Sequence, residues 1–313
     1  MERRHLILIG AVAAATTLGS CAGSNSQPVP AAQNAPEPQA FRDAGGKQRT
    51  LFIADVNSNM LLYTANINQK NPPLLGEITQ GVTRSVGVCF GSGTLYVVNS
   101  GGSRASVAEY HRGSSSPFAT ITYGLDTPDA CTVDGSGNLY VDDGGAGHPL
   151  IQLYPAGRTT PGKTIDLPPT GRATAPGGLV LNRRGTLFVS VFTAESETAT
   201  VFRINRGSST AKNLHLQELP AGDALGIDKA GNLYTGGHEG DMSIYAPGST
   251  TPTRFINVAE DGFYTDMTVT PDGTIYWPNY DEGAMYEFAP GAPSPTNEFA
   301  TAGSGIGAAV GAW

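Results

Sequence analysis

The 313-residue sequence is 39% hydrophobic and 15% charged, with 41 glycines and 22 prolines. Those proportions exclude a disordered chain, and they leave little room for long helices beside so many turn formers. The 19 Lys and Arg against 27 Asp and Glu give a net charge of −8. The only adjacent basic pairs are Arg3-Arg4 and Arg183-Arg184, so the basic footprint of a nucleic-acid binder is missing from the sequence.

Residues 1–20 read as a signal peptide rather than as part of a fold. Arg3, Arg4 and His5 form a basic start, and Leu6 to Leu18 is apolar but too short to span a bilayer comfortably. The stretch ends in Leu18-Gly19-Ser20-Cys21, which resembles the bacterial lipobox. That resemblance implies lipidation of Cys21, export, and anchoring of the mature chain in the cell envelope through its acyl chains. Ala22 follows the Cys; the absence of an Asp there implies outer-membrane sorting in a diderm cell. Loss of Arg3, Arg4 and Glu2 removes a net +1 and takes −8 to −9. Residues 21–48 carry the lipidated Cys and an Ala-, Pro-, Ser- and Gln-rich stretch that reads as a flexible tether.

From residue 49 onward one phrase recurs. Asp134-Gly-Ser-Gly-Asn-Leu-Tyr-Val141 is a polar turn running into a short strand, and versions of it end in Leu95, Leu187, Leu233 and Ile275 as leading aliphatics. Leu51 starts a sixth strand without the turn. The intervals between these residues are 44, 44, 48, 46 and 42. A period of roughly 40 to 50 residues with several strands per unit predicts a β-propeller. A second turn keeps register with the first: an aromatic, Gly three residues on and Pro seven on, as in Tyr154, Gly157 and Pro161. Such residues supply the backbone angles of hairpin turns.

The termini predict how the ring shuts. The first unit lacks an inner strand, and Gly305 to Trp313 looks like an inner strand with nothing after it. The expectation is one all-β domain over residues 49–313, six blades of four strands, closed by the C-terminal strand completing the N-terminal blade. Cys89 and Cys131 fall on adjacent inner strands. Cys89 lies six residues before its leading aliphatic and Cys131 eight, which places them at different levels and favours two buried free thiols over a disulfide. Neither has a partner at zinc-site spacing.

The phrase Pro128-Asp129-Ala-Cys-Thr-Val-Asp134-Gly-Ser-Gly-Asn-Leu-Tyr-Val141 resembles the six-bladed propellers of the NHL-repeat and gluconolactonase/senescence-marker-protein group, and the resemblance runs from Leu51 to Trp313. It implies a divalent-metal site in the central channel, Ca2+ or another ion, with Asp129 as one ligand. Asp223 stands at the same level, ten residues before Leu233. The other positions at that level are Ser85, Gly177, Thr265 and, aligned less securely, Gly305. The group's Gly-Glu-Gly-Pro and Ser-Asn-Gly phrases have no counterpart, so its Glu and Asn ligands are missing. Calcium wants six to eight oxygens, and two carboxylates make a thin set.

Residues ahead of the inner strands and in the loops after the second strands open on one face. Beside Asp129 and Asp223 they include Arg84, Tyr264, Asp266, Asp142, His238, Glu239 and Asn279, with Asp55, Asn57, Asn99, Asp143 and Tyr280. Carboxylates gathered in a concave mouth can hold a cation or act as a base; singly, Asp and Asn also cap turns. His238-Glu239 beside Asp241 has the makings of an acid–base pair, but its Gly-Gly-His-Glu-Gly setting favours a solvated turn. Asp134 and Asp228 are explained by turn chemistry. No nucleophile elbow, phosphate loop or dinucleotide fingerprint occurs. The incomplete ligand set favours a binding or scaffold module for a protein, peptide, glycan or small molecule over an enzyme; the alternative is a metal-dependent lactonase-type hydrolase.

Overall fold

A computed structural model describes residues 49–313, apart from 58, 67, 68, 101–104, 145–147, 172, 173, 259–261 and 264. The signal peptide, Cys21, the tether and Tyr264 lie outside the described residues. The chain divides into Met1–Glu37 and Pro38–Trp313, and all described residues belong to the second unit. Six four-stranded antiparallel sheets stand there, with no α-helix among the described residues.

Blade 1 is built from both ends of the domain, in the order Gly305–Gly311, Thr50–Asp55, Asn59–Thr64 and Leu74–Ile78. Blade 2 runs Ser85–Gly91, Thr94–Asn99, Ser106–His111, Ala119–Ile121. Blade 3 runs Pro128–Val133, Leu139–Asp143, Leu150–Tyr154, Lys163–Asp166. Blade 4 runs Thr174–Leu181, Leu187–Thr193, Thr198–Ile204, Ala211–Asn213. Blade 5 runs Ala224–Ile227, Leu233–Gly236, Asp241–Tyr245, Arg254–Asn257. Blade 6 runs Thr268–Val269, Ile275–Asn279, Ala284–Phe288, Asn297–Ala300.

The recurrent turn works as its chemistry demands. Asp134 Oδ1 accepts the N–H groups of Ser136 and Asn138, and Gly137 sits at φ 82°. Asp228 repeats this with Asn232. Both are Asx-type turns that fix where the second strand begins.

The clasp pairs Thr50 with Gly311 and runs on to Asp55 with Gly305, with a bulge near Asp55. Trp313 is 5% exposed and lies edge-on to Phe52, with ring centres 5.3 Å apart; Phe90 of blade 2 completes the cluster. Trp313 thus joins two blades through aromatic packing.

Hydrophobic clusters fill the six interfaces between neighbouring blades. Five hold eight to thirteen buried residues each. The interface of blades 4 and 5 holds four, Val201, Leu225, Leu233 and Tyr245, with five partly exposed apolar side chains against them.

One sequence expectation is corrected. Cys89 and Cys131 form a disulfide, with their Cα atoms 5.6 Å apart. The offset of two residues that placed them at different levels overstated their separation. The hairpin after Cys131 is one residue longer: Val133 pairs with Leu139, whereas Phe90 pairs with Leu95. That leaves one residue of stagger between adjacent inner strands, within the reach of a disulfide.

Candidate functional site in the central channel

Four carboxylates from three blades lie at the loop-bearing end of the channel, within electrostatic reach of one another. Asp129 is on the inner strand of blade 3 and Asp142 on its second strand. Asp223 and Asp266 lie just ahead of the inner strands of blades 5 and 6. They are close enough to act on one another. Burial pushes Asp129 well above the usual carboxylate range, and Asp142, Asp223 and Asp266 add to the rise. Burial likewise raises Asp266, helped by Asp223 and Asp142, against the backbone N–H groups of Leu225 and Met267. Asp142 is fully buried and pushed up to about 7; burial outweighs the two hydrogen bonds it accepts from Ala130 and Asp129.

Two oxygens of this group are orphans. Asp142 Oδ2 and Asp266 Oδ1 are buried without a hydrogen-bond partner. An unpaired buried polar atom costs roughly 1–3 kcal/mol, more for a charged group, so such a pair marks a place for a donor or a cation.

Blade 4 makes room for Asp223. A methyl group on Gly177 would lie 2.2 Å from Asp223 Oδ2, and one on Gly178 would lie 2.1 Å from the Asp223 carbonyl. Ser190 Oγ accepts from the Gly178 N–H and donates to that same carbonyl. The position that holds Gly in blade 4 and Asp in blade 5 is therefore complementary: the absence of one side chain admits the other.

Aromatic rings border the carboxylates. His238 Nε2 is 3.4 Å from Asp223 Oδ1, and both side chains are largely covered, at 17% and 22% exposure. The His238 ring packs against Phe192 with centres 4.9 Å apart and Phe263 at 4.5 Å; Phe263 meets Tyr280 edge-on. An arc of rings from blades 4, 5 and 6 thus stands beside the acidic group. His238 belongs to this arc rather than to a solvated turn.

The remaining sequence candidates do other things. Asp55 caps its own turn through Asn57. Asn99 ties down the loop before blade 2 through Thr83 and Gly81, and Asp143 does so before blade 3 through Asp126 and Thr127. Asn279 is fully buried and bonds Glu282. Glu239 is exposed and adds to the upward shift that burial gives Asp241. Arg84 is exposed at the rim in a left-handed backbone conformation, φ 103°, and makes no ion pair with the four carboxylates. Phe192 and Phe263 were not legible as site residues, because an aromatic in or just before a strand reads as core.

The test for a divalent metal gives a mixed answer. The two orphaned oxygens call for positive charge. Yet among the described residues no three His, Cys, Asp or Glu side chains are arranged to hold a metal ion. The residues present fit a cation, and not the multidentate cage a bare Ca2+ requires.

Fold and site together define a six-bladed β-propeller with an acidic, ring-bordered channel mouth. No family model matches the sequence, and no curated protein does. Among solved structures, a chain of a nidogen/laminin complex is similar at a TM-score of 0.68 and 14% identity, covering 84% of this chain and 98% of that one. A calcium-binding regucalcin from Agrobacterium tumefaciens is similar at 0.54 and 13%, covering 72% and 77%. A luciferin-regenerating enzyme is similar at 0.55 and 11%, covering 71% and 78%. At such identities the likeness establishes the fold.

Proposed function

We propose that this propeller is a binding module whose channel mouth takes an organic ammonium ion. The observation that carries the reading is the pair of orphaned carboxylate oxygens beside the ring arc. A substituted ammonium needs one or two acceptors and ring faces rather than six to eight oxygens, and aromatic surfaces attract it through their quadrupoles. Asp142 and Asp266 supply the acceptors, Asp223 the charge behind His238, and Phe192, Phe263 and Tyr280 the apolar wall.

Thermal unfolding with added choline, spermidine or calcium tests this, because a ligand selective for the folded state raises the melting point. A rise with choline or spermidine that is lost in Asp142→Asn and weakened in Phe263→Ala is expected. A rise with calcium alone, abolished by a chelator, would replace the ammonium reading with the metal one.

A second reading is lactone hydrolysis. The likeness to regucalcin and to the luciferin-regenerating enzyme is compatible with it, and Asp142 titrating near 7 has the proton affinity of a general base. A lactone screen in which Asp142→Asn removes turnover would support it.

The module is further proposed to be exported and lipid-anchored at Cys21 in a bacterial envelope, in the outer membrane of a diderm cell. The lipobox-like Leu18-Gly-Ser-Cys21 supports this, as does the disulfide, since such bonds persist in oxidising compartments. Labelled palmitate should enter the protein in cells and fail to enter Cys21→Ser.

A further inference from the structure

The weakly closed interface of blades 4 and 5 opens on the face opposite the channel mouth, as a cavity of about 630 Å3. That volume falls within the range of small-molecule sites, roughly 300–1,000 Å3. Its floor is apolar, from Phe188, Leu214, Leu216, Leu233 and Tyr245. Its rim is cationic. Arg183 and Arg184 come from the first turn of blade 4, Arg203 from that blade's third strand and Lys229 from the first turn of blade 5.

Four of the 19 basic residues of a chain with net charge −8 therefore line one cavity. The sequence shows only the Arg183-Arg184 pair; the fold adds the other two. Asp228 is the single carboxylate among the described lining residues, and it is committed to its turn through Asn232 and Tyr234. None of the four cations has a carboxylate within ion-pair distance among the described residues.

Two independent observations show positive charge in want of a partner. Arg203 Nε is buried without a hydrogen-bond acceptor. Arg203 also pairs across the sheet with Lys212 on one side and Phe188 on the other. Like charges directly opposite in an antiparallel pair destabilise a sheet, and a guanidinium nitrogen buried without an acceptor does the same. An anion seated beside Arg203 relieves both.

We infer that this cleft is a second binding site, for an amphiphilic organic anion with one acidic head and an apolar body. Arg203 and Lys229 hold the head, since guanidinium and ammonium groups both pair with carboxylate or phosphate oxygens. The body lies on Phe188, Leu214 and Leu216, whose half-exposed surfaces gain from being covered. The inference is independent of the ligand proposed for the channel.

Calorimetric titration of the full chain with decanoate, 1-decanol and inorganic phosphate tests it. Decanoate should bind saturably, with decanol and phosphate at least tenfold weaker, because the site needs both head and body. Arg203→Gln should weaken decanoate about tenfold or more. Lys229→Gln, a change in an exposed turn that leaves the core untouched, should weaken it severalfold and serves should the half-buried arginine's variant fold poorly. Decanol binding as tightly as decanoate would reduce the cleft to an apolar crevice. Phosphate binding as tightly would reduce it to an anion patch. Absence of saturable decanoate binding, or indifference to Lys229→Gln, would also overturn the assignment.

Discussion

Asp142 loses its proton near pH 7 because burial and its acidic neighbours outweigh two backbone donors. Its ordinary value is 3.8, so between about pH 4 and about pH 7 the folded protein retains a proton that the unfolded chain releases. Stability should fall as pH rises through that window, and the penalty should be complete above it. Denaturant titrations across the window should show this fall, flattened in Asp142→Asn. A cationic ligand competes with the same proton, so choline affinity should rise over the same range. Asp129 and Asp223 were legible as residues of one level in the repeat. What the repeat could not convey is that Gly177 makes space for Asp223, since a missing side chain leaves no chemical signature in a sequence rich in glycine.

The hairpins explain how much of the architecture could be read. Five of the six repeats couple an Asx-type or glycine turn to a strand of β-branched and aromatic residues, so blade number and order were set by local chemistry. Stagger between blades was not, because it depends on turn length in each hairpin separately. The disulfide exposes the difference: one extra residue after Cys131 brings it level enough with Cys89 to bond. The bridge spans 42 residues of sequence. A loop of that size restricts the unfolded chain by about 4 kcal/mol in the chain-entropy account. Reduction, or the double change Cys89→Ala and Cys131→Ala, should therefore lower unfolding free energy by roughly 2–4 kcal/mol. The ring arc was hidden for a related reason. Phe192, His238 and Phe263 come from three blades and meet only once the blades are set around the axis.

On the scale of the whole domain, stability depends on a strand that arrives last. Residues 305–311 pair with residues 50–55, and Trp313 locks the seam between Phe52 and Phe90. Trp313→Ala removes a buried aromatic at a joint of two blades, and calorimetry or denaturant unfolding should show a loss of roughly 3–5 kcal/mol. Such pairing between distant parts of a chain slows folding, since loop closure must precede the reward. During translation the first blade consequently has to wait, its open edge unsatisfied, until residues 305–311 clear the ribosome. A polypeptide that lacks residues 305–311 would carry five finished sheets and one raw margin, the kind of surface that chaperones and proteases sort from sound product. The seam thus makes an intact first sheet a report that the strand about 250 residues downstream has been made and docked.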